Sequence, residues 1–191
     1  VSHGSPMNAI KDNQWSRDYT KLRELVPRPV AILAISAHWY VQGSYVTANT
    51  KPPTIHDFGG FPQALYDIEY PAPGYPELAE SVCEILGKDR VKLTNDWGLD
   101  HGIWTVLHWM YPDADIPVVQ LSVDRELDVR KHFEIGRSLA ELRDKNILIM
   151  ASGNIVHNLH DAFTQMRSGT DITTDWASRF DEAVKNALIV N

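Results

Sequence analysis

Three short, continuous apolar runs constrain the fold of this chain more than any other feature. They cover residues 30–36, 116–123 and 147–152, and a shorter run covers 44–48. Runs of this length without polar alternation are typical of strands that are covered on both faces, as in α/β domains. The sequence therefore predicts a central sheet with helices packed against each side.

Helical patterns separate these runs. Residues 76–86, 128–143 and 176–188 place apolar side chains three or four positions apart, with charged side chains on the opposite face. Strands that alternate with helices predict a three-layer α/β/α domain around a mixed, largely parallel sheet. The chain has the length of one domain, so we expect a single domain over residues 1–191.

Both ends of the chain predict a longer protein. The segment around His3 resembles a loop that follows a strand, and the chain stops directly after a helical pattern. We therefore expect a short strand before Val1 and a further segment after Asn191.

The composition argues against several classes of protein. A formal net charge of −7 gives an acidic surface that repels phosphate backbones, so nucleic acid is not an expected partner. The single cysteine, Cys83, excludes an internal disulfide. No apolar run reaches the roughly 18 residues that span a bilayer, and no signal peptide is visible. We expect a cytoplasmic monomer or small homo-oligomer without a membrane partner.

Three histidines stand where ligands usually bind. His38 follows the run 30–36, His157 follows the run 147–152, and His3 precedes a turn. In open α/β sheets, binding sites form beyond the carboxyl ends of the strands, and imidazole is a common ligand of transition metals. The placement indicates a metal site. A histidine beside glycine in a loop is also an ordinary turn residue, so position alone leaves both interpretations open.

Two further histidines have weaker signals. His101 lies at a loop-to-helix junction, where the preceding Asp100 is able to cap the helix. His56 lies in the irregular stretch 48–76, which is rich in proline, glycine and aromatic residues. Irregular stretches of this length are more often functional than idle.

Other aromatic side chains are expected to be largely structural. His108 lies within a helical stretch and should pack against its neighbours. Trp39 and Trp104 stand close to candidate histidines, so they are candidates both for the core and for the wall of a pocket that binds an aromatic ring.

Five short motifs carry a family resemblance. They are HGSPM at 3–7, SAHW at 36–39, TIHDFGGFP at 54–62, DHGIW at 100–104 and GNIVHN at 153–158. Together and in this order they resemble the 4,5-DOPA extradiol dioxygenases of bacteria and plants. That family is part of the LigB-like superfamily of class III extradiol dioxygenases. The likeness runs over nearly the whole chain, and the joint occurrence of the motifs is specific.

The resemblance implies roles for individual residues. His3 and His38 match two metal ligands. His157 matches the acid–base catalyst, and it is also a candidate at the metal. His101 matches a histidine that contacts the substrate or the oxygen atoms derived from O2. His56 falls in a family motif without an assigned role.

The family's third metal ligand is a histidine near the C-terminus, and the chain has no match for it up to Asn191. We therefore expect this ligand in the segment after Asn191.

The resemblance also implies an activity. An extradiol dioxygenase opens the ring of a small catechol, such as 4,5-DOPA, with O2 at a non-haem metal centre. Fe(II) is the expected cofactor, and Zn(II) is the ion expected to replace it in purified protein. Two alternatives remain open. One is a zinc-dependent hydrolase on a related scaffold with His157 as base, and the other is an inactive relative that binds small aromatic molecules.

Overall fold

The computed structural model describes residues 1–169 and 173–189. The chain divides into two compact units, Val1–Ile155 and Val156–Asn191. Each unit has its own secondary structure, and the single domain expected over residues 1–191 stays a prediction.

The first unit alternates strands and helices. In chain order its elements are a 3₁₀ turn at Pro6–Ala9, α1 at Gln14–Leu25, β1 at Ala31–Val41, β2 at Ser44–Thr47, α2 at Gln63–Tyr66, α3 at Pro76–Leu86, β3 at Val91–Thr94, α4 at His101–Met110, β4 at Val118–Asp124, α5 at Val129–Ser138, a 3₁₀ helix at Leu139–Lys145 and β5 at Ile147–Ser152.

Over the described residues the strands form one five-stranded sheet in the order β3-β2-β4-β1-β5. β1 runs parallel to β4 and β5, with Ile32 opposite both Val118 and Leu148. β2 is parallel to β3 but antiparallel to β4. The predicted mixed, largely parallel sheet is therefore confirmed. β3 was not predicted, because this short edge strand exposes two of its residues, Lys92 and Leu93.

Successive residues of β1 pack into two different hydrophobic cores, one on each face of the sheet. Ala31 and Leu33 pack with residues of α3 and the 3₁₀ helix 139–145, whereas Ile32 and Ala34 pack with residues of α1 and α4. Side chains alternate across a strand, so one continuous apolar run supplies both faces of the sheet. This arrangement explains the absence of polar alternation in the sequence and confirms the three-layer architecture.

β1 is longer than predicted. It runs to Val41, and its register with β4 shifts between Ile35 and Tyr40. Such an irregularity marks a bulge, which bends the strand and redirects side chains. The prediction that His38 follows the end of the strand was therefore wrong, because His38 lies inside β1, on the irregular part.

The helices agree less closely with the sequence patterns. α3 has the predicted bounds, but the predicted helix 128–143 divides into α5 and a 3₁₀ helix. α1 was not predicted, because few of its side chains are apolar. Its start carries a local signal, since the Asn13 and Ser16 side chains each accept a hydrogen bond from the other's backbone N–H.

The second unit contains α6 at Leu159–Ser168 and α7 at Asp175–Ile189. The Asn158 side chain caps α6, and the Trp176 indole donates to the Asp161 carboxylate at 3.0 Å, which joins the two helices. α7 matches the predicted helix 176–188. None of the helices in the described parts of the chain is long and apolar enough to cross a membrane.

We expect His108 to make the stability of the protein depend on pH. The ring packs edge-on against Trp109, and burial lowers its pKa below the ordinary 6.5. The folded state then binds this proton more weakly than the unfolded chain does. The stabilisation is present above pH 6.5 and is lost as the pH falls through the lower pKa of the folded state.

The measurement is the free energy of unfolding by urea between about pH 7.5 and pH 5.5, for the wild type and for His108→Gln. The wild type should lose more stability than the variant over this range. Equal losses would show that His108 does not carry the effect.

Candidate metal centre

Among the described residues, three imidazoles meet at one point. His3, His38 and His101 each place one ring nitrogen within 4.8 Å of the others. The Nε2 atoms of His3 and His38 are 3.0 Å apart, and the ring centres of His38 and His101 are 4.0 Å apart. His3 and His101 are only 2% and 4% exposed. The cluster is therefore largely shielded from water.

The three histidines lie on three separate segments of the chain. His38 lies on the irregular part of β1, and His101 is the first residue of α4. His3 is held beside β5, because the Val1 nitrogen donates to the Ala151 carbonyl at 2.7 Å and Gly153 donates to the Val1 carbonyl at 3.1 Å. Of the three histidines predicted to converge (His3, His38 and His157), His3 and His38 meet here, and His101 joins them.

Asp100 connects the elements behind the cluster. This fully buried carboxylate accepts hydrogen bonds from the Ser36 hydroxyl at 2.7 Å, from the Gln120 side chain and from the Gly102 backbone N–H at 3.0 Å. Burial raises the pKa of Asp100, although the Ser36 and Gln120 hydrogen bonds oppose that effect. The prediction that Asp100 caps the helix that begins at His101 is confirmed.

Gly102 permits the close approach of α4 and β1. A Cβ atom at this position would lie 2.7 Å from the Ser36 Oγ and 3.1 Å from the Cδ2 of His38. Contacts of this length are repulsive, and the Ser36 hydroxyl is held by Asp100. The position therefore requires glycine if His38 is to keep its place.

Asp57 contacts two of the three imidazoles. Its Oδ1 accepts from the His101 ring Nδ1 at 2.8 Å and from the His101 backbone N–H at 3.0 Å. Its Oδ2 lies 3.3 Å from Nδ1 of His38. Burial alone would raise the pKa of Asp57, but the hydrogen bonds from His101 and the nearby imidazoles outweigh it and lower the pKa. The carboxyl group is therefore ionised near neutral pH.

Ser152 contacts the third imidazole, that of His3. The Ser152 hydroxyl donates its single hydrogen to the Gly102 carbonyl, which is able only to accept. At its 2.9 Å contact with Nδ1 of His3 the hydroxyl oxygen must then accept. The proton of the His3 ring therefore lies on Nδ1, and its Nε2 carries the lone pair.

The same reasoning applies to the two rings at Asp57. An ionised carboxylate only accepts, so His101 carries its proton on Nδ1, and the negative oxygen beside His38 favours the same tautomer. The Nε2 lone pairs of His3 and His38 then face each other across 3.0 Å. Two lone pairs at that distance repel unless a cation or a proton lies between them.

The spacing fits a transition metal. Nitrogen atoms that bind one ion at about 2.1 Å lie roughly 3–3.5 Å apart, which includes the observed 3.0 Å. A set of neutral imidazoles suits iron and zinc alike. His3, His38 and His101 are therefore the described residues that could hold a metal ion.

His157 belongs to the second unit, directly before the Asn158 cap of α6. Its predicted parts in acid–base catalysis and at the metal both stay predictions, as does the third metal ligand expected after Asn191.

An aromatic cluster adjoins the histidines. The Phe58 ring lies 5.4 Å from the His101 ring, edge-on, and 5.2 Å from the ring of Tyr66. The His56 ring packs 5.8 Å from Phe58, and its Nε2 donates to the Ile68 carbonyl at 3.0 Å. Trp104 is completely buried behind these rings. It belongs to the core rather than to the wall of a pocket.

Trp39 is also buried, and its ring stacks on Trp97 at 5.4 Å. Phe58, Phe61 and Tyr66, in contrast, are partly exposed. Both tryptophans named from the sequence are therefore core residues.

Sequence reasoning missed Asp57, Gly102 and Ser152 as parts of the site. Asp57 directly follows His56 in the irregular stretch already suspected of function, so its place in the chain was a usable signal. Ser152 and Gly102 gave none, because their importance depends on contacts between residues 50 positions apart.

Comparisons with known proteins agree with the geometry. The family model for the catalytic LigB subunit of aromatic ring-opening dioxygenase matches residues 1–190. The chain belongs to this family of ring-opening dioxygenases.

Individual relatives support the same class. A 4,5-DOPA dioxygenase extradiol of Escherichia coli strain K12 is 54% identical over 98% of this chain and 69% of its own length. A protein of the same name from Beta vulgaris is 41% identical, over 98% of this chain and 71% of its own length. The predicted class, extradiol ring-cleaving dioxygenase, is thus confirmed.

A solved structure shows the same fold. The crystal structure of an uncharacterized Escherichia coli K12 protein superposes with a TM-score of 0.67 at 48% identity. The match covers 78% of this chain and 57% of that protein, so the chain spans little more than half of the solved structure.

We expect the histidine cluster to bind a divalent transition metal. In the full-length protein, His3→Ala and His38→Ala should each weaken Co(II) or Zn(II) binding at least about tenfold, because each removes a nitrogen from the centre. Isothermal titration calorimetry measures the effect. His132→Ala is the control, since that ring instead contacts the Asp124 carbonyl. Unchanged affinity in both cluster variants would place the metal elsewhere.

Gly102→Ala should weaken metal binding about tenfold, because the added methyl group displaces His38. Gly136→Ala is a matched control in α5, where a Cβ meets no atom within 4 Å. That control should keep the affinity and gain roughly 0.5–1 kcal/mol of stability. Titration calorimetry and thermal unfolding test both variants, and a Gly102→Ala protein with wild-type affinity would refute the packing argument.

Proposed function

We propose that the protein opens the aromatic ring of a small catechol, such as DOPA, with O2 at a non-haem Fe(II) centre held by His3 and His38. The observation that supports this most strongly is the pair of Nε2 atoms that face each other at 3.0 Å while a carboxylate and a hydroxyl hold the opposite ring nitrogens. The relatives named DOPA dioxygenases suggest the substrate class.

Bound Fe(II) would supply a site that orients the catechol and O2 together and exchanges electrons with both. The ligands of the chain suit such a site. Neutral imidazoles leave the positive charge of the ion uncompensated, which favours an anionic catecholate. The buried position of His3 and His101 strengthens this attraction, because water screens it poorly there.

His101 is placed to handle charge on oxygen. Its Nδ1–H is bound to Asp57, so its Nε2 is the atom that can accept a proton from the substrate. Once doubly protonated, the ring would be stabilised by the Asp57 carboxylate and could donate to a negatively charged oxygen. We propose this role for His101, and acid–base catalysis for His157 on the strength of the family resemblance.

The aromatic rings beside His101 suit a flat substrate. Phe58 is partly exposed and packs edge-on against His101, and the partly exposed Tyr66 packs against Phe58. Aromatic side chains pack on one another in offset or edge-on arrangements, and such pairs add to the gain from apolar burial. A catechol ring would therefore gain stabilisation from these neighbours.

The alternative is a zinc-dependent hydrolase. Three neutral imidazoles also form the ligand set of some catalytic zinc centres, and the present cluster offers three. This alternative predicts activity with zinc and no consumption of O2.

Oxygen uptake should distinguish the two functions. The full-length protein, purified without oxygen and loaded with Fe(II), should consume O2 and form a new visible absorbance with L-DOPA or a simple catechol. The zinc-loaded protein and Fe(II)-treated His3→Ala should show neither, whereas His132→Ala should behave as the wild type. Stoichiometric Fe(II) binding without uptake for any catechol would refute the proposed dioxygenase.

A further inference from the structure

One carboxylate group contacts two imidazoles of the cluster. Asp57 Oδ1 accepts from Nδ1 of His101 at 2.8 Å, and Oδ2 lies 3.3 Å from Nδ1 of His38. The third ring, His3, has its Nδ1 at the Ser152 hydroxyl instead. The side of the cluster that faces the protein is thus built from one shared carboxylate and one hydroxyl.

A carboxylate is suited to this position in a way that an amide is not. Both of its oxygens accept hydrogen bonds, so two neighbouring rings can each present an N–H to it. A neutral imidazole has a single N–H, and a proton on Nδ1 leaves the lone pair on Nε2. Asp57 therefore selects, in both rings together, the tautomer that can bind a metal or accept a proton.

The backbone around Asp57 is attached to the same elements as the histidines. Ile55 donates to the Leu99 carbonyl at 2.8 Å, and the Trp104 indole donates to the Ile55 carbonyl at 2.9 Å. The His101 backbone N–H donates to Asp57 itself. The carboxylate thus cannot move away from the start of α4 without breaking several hydrogen bonds.

His56 acquires a role in this arrangement. Its Nε2 donates to the Ile68 carbonyl, and its ring packs on Trp104, so the residue before Asp57 is anchored on both sides. Asp57 itself is only 16% exposed, which limits competition from water for its two oxygens.

We propose that Asp57 is a positioning residue that fixes the tautomer and the orientation of His38 and His101 together. It thereby couples the ring that holds the metal to the ring that handles protons at the substrate. This inference rests on the proposed function for the roles of the two histidines, whereas the tautomers themselves follow from the contacts of Asp57.

The Asp57→Asn variant tests whether Asp57 orients the two imidazoles or only fills the space beside them. Asparagine has nearly the same shape, but it offers one accepting oxygen and one donating NH2 group. It can satisfy the Nδ1–H of one ring alone, and the other ring must then accept from the amide. That ring moves its proton to Nε2 and loses its metal-binding lone pair. We expect metal affinity to fall about 10–100-fold, as for other groups that orient metal ligands.

The test uses the full-length protein and two readouts. Titration calorimetry with Zn(II) measures affinity, and nitrogen-15 NMR of the metal-free protein at neutral pH reports which ring nitrogen of each histidine carries the proton. Asp57→Asn should bind Zn(II) more weakly, and either His38 or His101 should lose the proton on Nδ1. Asp67→Asn, an exposed carboxylate at the end of the nearby α2, should match the wild type in both.

The nitrogen-15 spectrum of the wild type tests the proposed tautomers even if the Asp57→Asn protein fails to fold. A proton on Nδ1 of both His38 and His101 is expected, and a ring without it would overturn the proposal. Wild-type affinity and tautomers in a folded Asp57→Asn protein would overturn it as well.

Neither readout depends on turnover of a catechol. A protein that fails to consume O2 but shows the tautomer change would refute the dioxygenase and leave the role of Asp57 standing. Iron-dependent O2 uptake in the wild type, together with unchanged tautomers in Asp57→Asn, would refute only the proposed role of Asp57.

Discussion

The structure around the candidate centre depends on the buried carboxylate of Asp100. It accepts hydrogen bonds from β1 through Ser36, from β4 through Gln120 and from the start of α4 through Gly102. A buried polar group is tolerated where hydrogen bonds replace the lost water. Those same bonds join β1 to the start of α4, where two of the histidines meet, so the centre depends on how this carboxyl group is satisfied.

A second set of contacts, behind the histidine rings, bears on which ring nitrogens carry protons. Asp57 accepts from Nδ1 of His101 and lies 3.3 Å from Nδ1 of His38, and Ser152 accepts from Nδ1 of His3. Under the proposed tautomers the Nε2 atoms of the three rings present lone pairs to a shared space. Groups that orient metal ligands affect affinity nearly as strongly as the ligands do. The metal-binding character of the cluster therefore resides as much in a carboxylate and a hydroxyl as in the histidines.

Much of the architecture was predictable because it follows from local patterns. The continuous apolar run of β1 fills two cores, and this double burial explains why the run lacks polar alternation. β3 and α1 were missed, since an exposed edge strand and a mostly polar helix have weak periodic signals. His3, His38 and His157 were predicted to converge, and His3 and His38 do so. The bulge that carries His38 inside β1 has no signature in the residues around it.

The sequence by itself determined the class of fold and the family, because these depend on apolar periodicity and on motifs that can be read along the chain. It also singled out His3 and His38, which meet in the structure. Tertiary structure alone decided which side chains complete the centre. Asp57, Gly102 and Ser152 matter through contacts with residues that are distant in the sequence. Asp57 lies 44 positions from His101, and Ser152 lies 50 positions from Gly102 and 149 from His3. Whether a group donates or accepts a hydrogen bond depends on its partner, and these partners come together only when the chain folds.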